Sequence, residues 1–407
     1  MRATAWWNLP RYAPLAYAIE RERPGPEPLL LSNFADTSRM LLHRIETRWD
    51  RARFALRNRV GMASKPIVVP YRGYGDTREL WCKGRVIENK GIIAAPHSDS
   101  ILENIWQTLK RYDSDEIPGA ELSWRFGEMS GSVVTDEEGY FDLTFHPGGE
   151  LSRGAPWQRL RVHLLSARGR DMNPIEAEVC IRTPSKNAAI GVISDIDDTI
   201  VETGAYDFLK HWRTVVANSA ESRQVFPGVP SLYSALAAGS EGPQTNPVFY
   251  VSSSPWNLFD LFERFMILHD IPLGPMLLKD FGLTETKWLT GGHDGHKTAM
   301  IEAIFARYPD LSFVLVGDSG QRDALIYAKI AENHPGRVAA VFIREVADTA
   351  KGDHMVRMRE TLDRLAIPFA TGSHLGGAAE IAHTQGWISQ DQLNAVQRSV
   401  SREQAKE

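Results

Sequence analysis

Short apolar runs alternate with segments of helical periodicity after residue 188, and this alternation limits the possible folds more than any other feature. The apolar runs include AIGVIS, VFYVSS, SFVLVGD and RVAAVFIR. Nearly continuous apolar composition is typical of strands that are buried on both faces. Strands that alternate with helices in this way form a parallel sheet covered by helices on both sides. The sequence therefore predicts an α/β domain with a Rossmannoid parallel sheet over residues 188–389.

The chain before this domain has a different character. Between residues 66 and 187, short runs such as LWCKGRVI and QRLRVHLLSA contain alternating or β-branched residues and are separated by Gly, Pro, Asp and Asn. This pattern predicts a β-sandwich-like N-terminal domain. Residues 390–407 are polar, and we expect a polar tail that is either a frayed helix or disordered.

Residues 1–65 are predicted to form a leader with one amphipathic helix over 36–60. Apolar residues of this helix recur at three- and four-residue steps, and its polar face is rich in arginine. Two interpretations are open. The apolar stripe packs on the sandwich-like domain, which we prefer, or the basic face lies on an anionic bilayer.

Length, charge and cysteine content narrow the function classes. The chain has 407 residues, too many for one typical domain, and its net charge of -5 gives no support for a nucleic-acid partner. Two cysteines, Cys82 and Cys180, suit a reducing compartment. No apolar run approaches the roughly 20 residues of a membrane span, and the first residues lack the apolar core of a secretory signal. We expect a cytoplasmic protein without a transmembrane segment.

Acidic, hydroxyl and basic side chains follow several strands of the predicted α/β domain. Ligands of such sheets bind at the carboxyl ends of the strands. Each group taken alone also fits a solvated loop or a helix cap, but their common placement at strand ends favours one shared site. The candidate residues are Asp195, Asp197, Asp198 and Thr199 in DIDDT, then Ser252, Ser253 and Ser254, then Lys297, and finally Asp318 and Asp323 in GDSGQRD.

Phosphoryl chemistry explains why carboxylates would crowd in one place. A phosphoester is an anion and repels a carboxylate nucleophile, so a Mg²⁺ ion held by oxygen ligands has to neutralise that repulsion. Asp195 would attack phosphorus and, with Asp197 and Asp318, would hold the metal. Asp197 would also protonate the leaving oxygen and later activate water. The three carboxylates of DIDDT would thus have different roles: Asp195 is the nucleophile, Asp197 the acid and base, and Asp198 supports the loop.

The remaining candidates would bind the phosphate or orient the groups around the metal. Ser252, together with Ser253, Ser254 and nearby backbone N–H groups, would hold phosphate oxygens, and Lys297 would neutralise the charge that grows in the transition state. Asp323 is predicted to lie behind the metal ligands and to orient either them or Lys297, and Thr199 is predicted to lie in the same outer layer.

The four motifs DIDDT, VSSS, HKTAM and GDSGQRD resemble those of the haloacid-dehalogenase superfamily, and the chain is identified as a member. The superfamily pattern is DxDx[TV], a strand ending in Ser or Thr, a lysine, and GDxxxD or GDxxxxD. An Asp two residues after the first is what its phosphatases and phosphotransferases carry. The resemblance implies a haloacid-dehalogenase-like fold, an aspartyl-phosphate intermediate and Mg²⁺ as the cofactor.

A narrower resemblance links residues 189–380 to the catalytic domain of the actin-patch phosphatidate phosphatases, distant relatives of the lipins. It rests on VSSSPWNLFDLFERF, LLKDFG, HKTAMIEAIFARYP and GDSGQRDALIY. The resemblance implies dephosphorylation of phosphatidate, or of a related phospholipid at a membrane surface, to diacylglycerol. Two alternatives stay open: a phosphatase for a soluble phosphomonoester, and a non-catalytic phospholipid-binding protein.

The short interval between the first two motifs predicts a small cap. It contains GAYDFLKHWRTVV, in which Lys210, Trp212 and Arg213 could form a helical flap over the phosphate. The alternative is an ordinary surface helix. A small cap would leave the site open to a bulky or membrane-embedded substrate, and Arg213 is predicted to contact it.

Overall fold

The computed structural model describes residues 65–89, 116–149, 151, 155–168, 170–196, 199–200, 228–279, 292–320, 322–345 and 352–404. The predicted leader and its helix over 36–60 lie outside these residues, as does the predicted flap. Residues Pro66–Glu407 form one compact unit, and the domain boundaries placed at 187 and 389 stay predictions.

The first eight strands form an N-terminal sheet, which confirms the sheet region expected there. Their order is β1-β3-β2-β8-β7-β4-β5, with β6 paired to β3. All pairs are antiparallel except that between β2 and β8. The strands are β1 (Pro66–Pro70), β2 (Gly73–Gly75), β3 (Leu80–Glu88), β4 (Glu121–Phe126), β5 (Met129–Val134), β6 (Tyr140–Phe145), β7 (Trp157–Ala167) and β8 (Arg170–Arg182).

Residues from distant strands of this sheet share one apolar cluster, although the strands are hydrogen-bonded into a single sheet. Strand β2 makes the link, because it pairs with β3 on one side and β8 on the other. Leu80 and Cys82 of β3 lie in one apolar cluster with Leu160 and Val162 of β7. The alternating burial along β7 is the period-two pattern that the sequence predicts for a half-buried strand.

Six strands form a second sheet, and all of its pairs are parallel, as predicted. Their order is β11-β10-β9-β12-β13-β14. The core strands β9 and β12 are buried along their whole length. The strands are β9 (Gly191–Asp195), β10 (Val248–Pro255), β11 (Met276–Lys279), β12 (Phe313–Asp318), β13 (Val338–Arg344) and β14 (Phe369–Gly372).

Helices cover both faces of the parallel sheet. Alternate strand residues enter opposite cores: Val192 and Val314 belong to one apolar cluster, and Ile193 and Leu315 to the other. The described helices on the first face are α1 (Val229–Ala238), α2 (Phe259–Leu268), α6 (Gly376–Thr384) and α7 (Gln390–Gln404); those on the second are α3 (Gly292–Arg307), α4 (Asp323–Asn333) and α5 (Asp353–Arg364). A mixed α/β architecture with a doubly covered parallel sheet is therefore confirmed.

The C-terminal residues, expected to be a polar tail that is either a frayed helix or disordered, form helix α7, and one face of it is packed. In α7, Leu393, Val396 and Val400 are buried in the core of the parallel sheet. These residues follow one another at three- and four-residue steps, the spacing of one helix face. The polar composition of the segment reflects only its solvent-facing side, so composition alone was a poor guide.

The two sheets share buried aromatic residues. Tyr71 precedes β2 and Tyr74 lies within it, and the two residues enter the cores on opposite faces of the parallel sheet. Tyr74 lies 5.7 Å from Phe249 of β10 between ring centroids. None of the described helices is long and apolar enough to cross a membrane.

Candidate active site

Three neighbouring parallel strands bring the candidate residues to one edge. Asp195 ends β9 and Asp318 ends β12, and β9 lies between β12 and β10. Asp195 is in register with Val251 of β10, so Ser252 is the next residue along that strand. Because parallel strands end at the same edge, residues that are far apart in sequence meet there.

A cluster of three buried carboxylates occupies this edge. One oxygen from each of Asp195, Asp318 and Asp323 lies within 4.8 Å of the others, and none of the three residues is more than 1% exposed. Buried carboxylates repel one another unless a cation compensates their charge. The cluster therefore requires positive charge at close range.

Lys297 supplies part of that charge. It lies in the second turn of α3, is 3% exposed, and places Nζ 2.8 Å from Asp195 Oδ1. Nζ also donates to Asp323 Oδ1. Burial lowers the pKa of Lys297, but the charges of the two carboxylates and their hydrogen bonds outweigh this effect and raise the pKa above its usual value. The side chain is thus a buried ammonium group held between two acids.

Gly317 makes room for Asp323 against the end of β12. A methyl group at Gly317 would collide with Asp323 Oδ2 and would lie 2.8 Å from the ring of Tyr327. Asp323 Oδ2 accepts a hydrogen bond from the Asp318 backbone at 3.4 Å, and Asp318 Oδ1 accepts one from Gly320 N–H at 2.6 Å. The glycine in the GDS sequence thus has a steric reason, which the motif alone did not reveal.

Hydroxyl groups surround Asp195. Thr199 Oγ1 lies 3.4 Å from Asp195 Oδ2 and can donate to it. Ser194 Oγ donates to the Asp195 carbonyl oxygen at 2.6 Å and also lies 2.6 Å from the hydroxyl of Tyr233 in α1. Tyr233 was missed, because no local pattern in its helix points to the site.

The serine segment lies beside Asp195. Ser252 and Ser254 are buried, and Ser253 is half-buried. The Ser254 backbone N–H donates to Ser252 Oγ at 2.9 Å. This bond joins a backbone amide and a hydroxyl of the serine segment at the carboxyl end of β10.

The structure brings together most of the predicted residues. Asp323 stands in the carboxylate cluster itself, from which it could also act as a metal ligand, whereas the sequence predicted a supporting position. Asp197 and Arg213 lie outside the described residues. The catalytic, metal-binding and substrate-binding roles of all these residues stay predictions.

Magnesium fits the donor set at this edge. Carboxylate oxygens are the ligands that Mg²⁺ prefers, and three buried carboxylates face one ammonium group. Asp195, Asp318 and Asp323 are the described residues that could hold the ion.

Part of the chain that carries these residues is similar to known proteins. Residues 190–345 match the family described as the catalytic domain of phosphatidate phosphatase APP1. Residues 190–345, called the APP1-type segment below, are similar to that catalytic domain. The APP1-type segment contains the carboxylate cluster, the serine segment and Lys297, whereas the N-terminal sheet and helix α7 lie outside it.

Relatives with curated descriptions match this chain over a similar length. Phosphatidate phosphatase APP1 of Saccharomyces cerevisiae is 35% identical over 156 residues, which cover 38% of this chain and 26% of that protein. An uncharacterised protein of Schizosaccharomyces pombe is 27% identical over 158 residues, covering 39% of this chain and 25% of that protein. The matched region thus spans about a quarter of the length of these relatives.

A solved structure, a carbohydrate acetylesterase from Xanthomonas citri, is similar at 13% identity. The comparison covers 76% of this chain and 68% of that one, with a TM-score of 0.27. A likeness this weak has no bearing on the fold or the reaction of the APP1-type segment.

Proposed function

We propose that this chain is a Mg²⁺-dependent phosphatidate phosphatase, which releases phosphate from phosphatidate and leaves diacylglycerol. One observation carries the proposal. Within a segment of the APP1 catalytic family, Asp195 lies buried at a strand end, in contact with Lys297 and beside two further carboxylates. A buried carboxylate with a cation at its oxygen is the arrangement expected of a nucleophile that must approach an anion.

Asp195 is the proposed nucleophile. One of its carboxylate oxygens attacks phosphorus, the bond from phosphorus to the lipid oxygen breaks, and an aspartyl phosphate remains. The leaving oxygen takes a proton from Asp197. In the second step Asp197 takes a proton from water, the hydroxide attacks phosphorus, and the bond to Asp195 breaks to release inorganic phosphate. No oxidant or reductant is needed.

The other side chains stabilise charge during both steps. Lys297, already 2.8 Å from Asp195, counters the charge that builds on the phosphoryl oxygens. Ser252 and the backbone N–H groups near Ser253 and Ser254 bind those oxygens. Mg²⁺, when bound, would neutralise the repulsion between the carboxylate and the phosphate.

Several finer points belong to the same proposal. The four motifs and the all-parallel sheet support a haloacid-dehalogenase-like fold. The small cap expected between the first two motifs, and a contact of Arg213 with substrate, belong to the same proposal. A phospholipid substrate implies that the protein meets a membrane surface, which we place on the cytoplasmic side. These assignments follow from the family resemblance and from the expected reducing compartment.

The test is a phosphate-release assay on the full chain, with phosphatidate in mixed micelles and with water-soluble sugar phosphates, each in Mg²⁺ or EDTA. We expect release from phosphatidate that requires Mg²⁺. Asp195→Asn should lower the rate on the order of 10⁴-fold or more without changing the melting temperature by more than a few degrees. Asp363→Asn, at an exposed position near the end of α5, is the matched control and should retain full activity.

Each alternative has its own outcome. Retained activity in Asp195→Asn would remove the nucleophile assignment. Faster turnover of sugar phosphates than of phosphatidate would indicate a soluble substrate. Binding to phosphatidate vesicles without release from any substrate would indicate a lipid-binding protein.

A further inference from the structure

The N-terminal sheet contacts the segment that follows the site serines. Residues Trp256–Leu258 form a 3-10 helix directly after Ser254 and Pro255. Within it, Asn257 Oδ1 accepts a hydrogen bond from Arg85 Nη1 of β3 at 2.6 Å and one from the Tyr140 hydroxyl of β6 at 3.1 Å. Two strands of the N-terminal sheet thus hold one side chain at the rim of the candidate site.

Aromatic contacts reinforce this attachment. Tyr71 stacks on Trp256 with ring centroids 4.8 Å apart and planes inclined by 24°, and both residues are 4% exposed. Lys83 Nζ lies 5.4 Å from the centroid of the Trp256 ring and 4.7 Å from that of Tyr140. A cation over desolvated aromatic faces favours this packing, so the residue next to Asn257 is also fixed by the N-terminal sheet.

Further partners hold the guanidinium of Arg85 in place. Its side chain is largely buried, and its other terminal nitrogen pairs with Glu116 at 2.8 Å. Nε donates to the Glu138 carbonyl oxygen at 3.0 Å. A planar guanidinium bound on several sides holds its partners in one geometry. Asn257 is therefore held by a preorganised donor.

A phosphate-binding segment needs such support, because loops after strands are mobile unless neighbouring groups hold them. We propose that the N-terminal sheet is a positioning element of the catalytic site, and that Asn257, held by Arg85 and Tyr140, sets the geometry of the Ser252–Ser254 segment for phosphate. This inference rests on the proposed function. It gives a role to a sheet that lies outside the matched family segment.

Two tyrosines make a matched pair for the test. The Tyr140 hydroxyl of the N-terminal sheet donates to Asn257. The Tyr308 hydroxyl of the parallel-sheet region donates to the carbonyl oxygen of Gly75 in the N-terminal sheet at 3.2 Å. Tyr308 precedes β12, at the opposite edge of the parallel sheet from Asp318. Tyr140→Phe and Tyr308→Phe each remove one hydroxyl between the same two regions, but only the first is next to the serine segment.

We expect Tyr140→Phe to raise KM and the inhibition constant of inorganic phosphate at least threefold, and Asn257→Ala to raise both tenfold or more. Tyr308→Phe should change each less than twofold. Asn257→Asp keeps an acceptor oxygen for Arg85 and Tyr140 but adds a negative charge, so it should raise both constants less than Asn257→Ala does. Equal effects of the two tyrosine substitutions, or loss of kcat with unchanged phosphate inhibition, would overturn the positioning role.

Hydrogen exchange separates this inference from the proposed function. Amides of residues 252–258 should exchange faster in Tyr140→Phe and Asn257→Ala than in the wild type, and should be unchanged in Tyr308→Phe. If the wild type releases no phosphate from any substrate, the proposed function fails while the exchange data still decide the contact. Unchanged exchange in Asn257→Ala would overturn the inference whatever the activity.

Discussion

Lys297 Nζ lies 2.8 Å from Asp195 Oδ1, and both side chains are almost fully buried. Helix α3 carries the lysine and strand β9 the aspartate, so the contact exists only in the folded chain. Burial disfavours the charge on the lysine, but Asp195 and Asp323 outweigh it and raise its pKa. The ammonium group therefore stays protonated at neutral pH and keeps the carboxylates paired.

Replacing Lys297 should lower both kcat and the melting temperature. Lys297→Met removes the ammonium group and keeps much of the apolar stem. We expect kcat to fall about 10²–10³-fold, the usual effect of losing one group that stabilises transition-state charge. The melting temperature should also fall, because the carboxylates lose their buried partner.

Added Mg²⁺ should restore part of that melting temperature, since it supplies the missing positive charge. The matched control is Lys329→Met in α4, a lysine outside the carboxylate cluster, which should change neither quantity greatly. An unchanged kcat in Lys297→Met would contradict the proposed role.

Metal binding by the carboxylate cluster should appear as a thermal shift. A ligand that binds only the folded protein at 100 times its Kd stabilises by about 2.7 kcal/mol, so Mg²⁺ should raise the melting temperature of the wild type. Asp318→Asn should abolish the shift, and Asp323→Asn should weaken Mg²⁺ binding about 10–100-fold. Calorimetric titration with Mg²⁺ measures both effects, with Asp363→Asn as the control. Equal Mg²⁺ affinity in all these variants would place the metal elsewhere.

A side chain at Gly317 should lower the stability of the protein. In Gly317→Ala the new methyl group meets Asp323 and the ring of Tyr327, so one of them has to move. We expect a lower free energy of unfolding, by about 1–3 kcal/mol as for other overpacked sites, together with weaker Mg²⁺ binding. Gly149→Ala is the control, since a methyl group there meets nothing within 4 Å. Denaturant unfolding of both variants checks the prediction, and equal stabilities would contradict it.

Helix α7 should contribute to stability despite its polar composition. Val396 is fully buried, and its neighbour Gln397 is exposed. Val396→Asp should lower the free energy of unfolding by about 3 kcal/mol or more, because it buries a charge without a partner. Gln397→Asp should change it by less than about 0.5 kcal/mol. Urea denaturation followed by circular dichroism compares the two, and similar midpoints would show that the helix is not packed.

Much of the candidate site could be predicted from local sequence. Asp195, Ser252 and Asp318 each follow an apolar run, and the carboxyl ends of parallel strands share one edge. Reading the runs as strands was therefore enough to bring these three residues together. Lys297 was found by its place in the order of motifs, and its contact with Asp323 matches one of the two positions expected for that aspartate.

Other features depend on contacts between distant segments. The burial of α7 was missed because its apolar residues are few, and only the core they enter shows their purpose. Tyr233 reaches Ser194 from another helix, and no spacing rule connects the two residues.

The sequence by itself determined the alternation of strands and helices and the residue types at the strand ends, because backbone periodicity and side-chain chemistry are local properties. Tertiary structure decided which of those groups touch. Gly317 admits Asp323 to the cluster, and the N-terminal sheet reaches Asn257 through Arg85 and Tyr140. Such contacts follow from how separate elements pack, where close fit and paired charge select one arrangement.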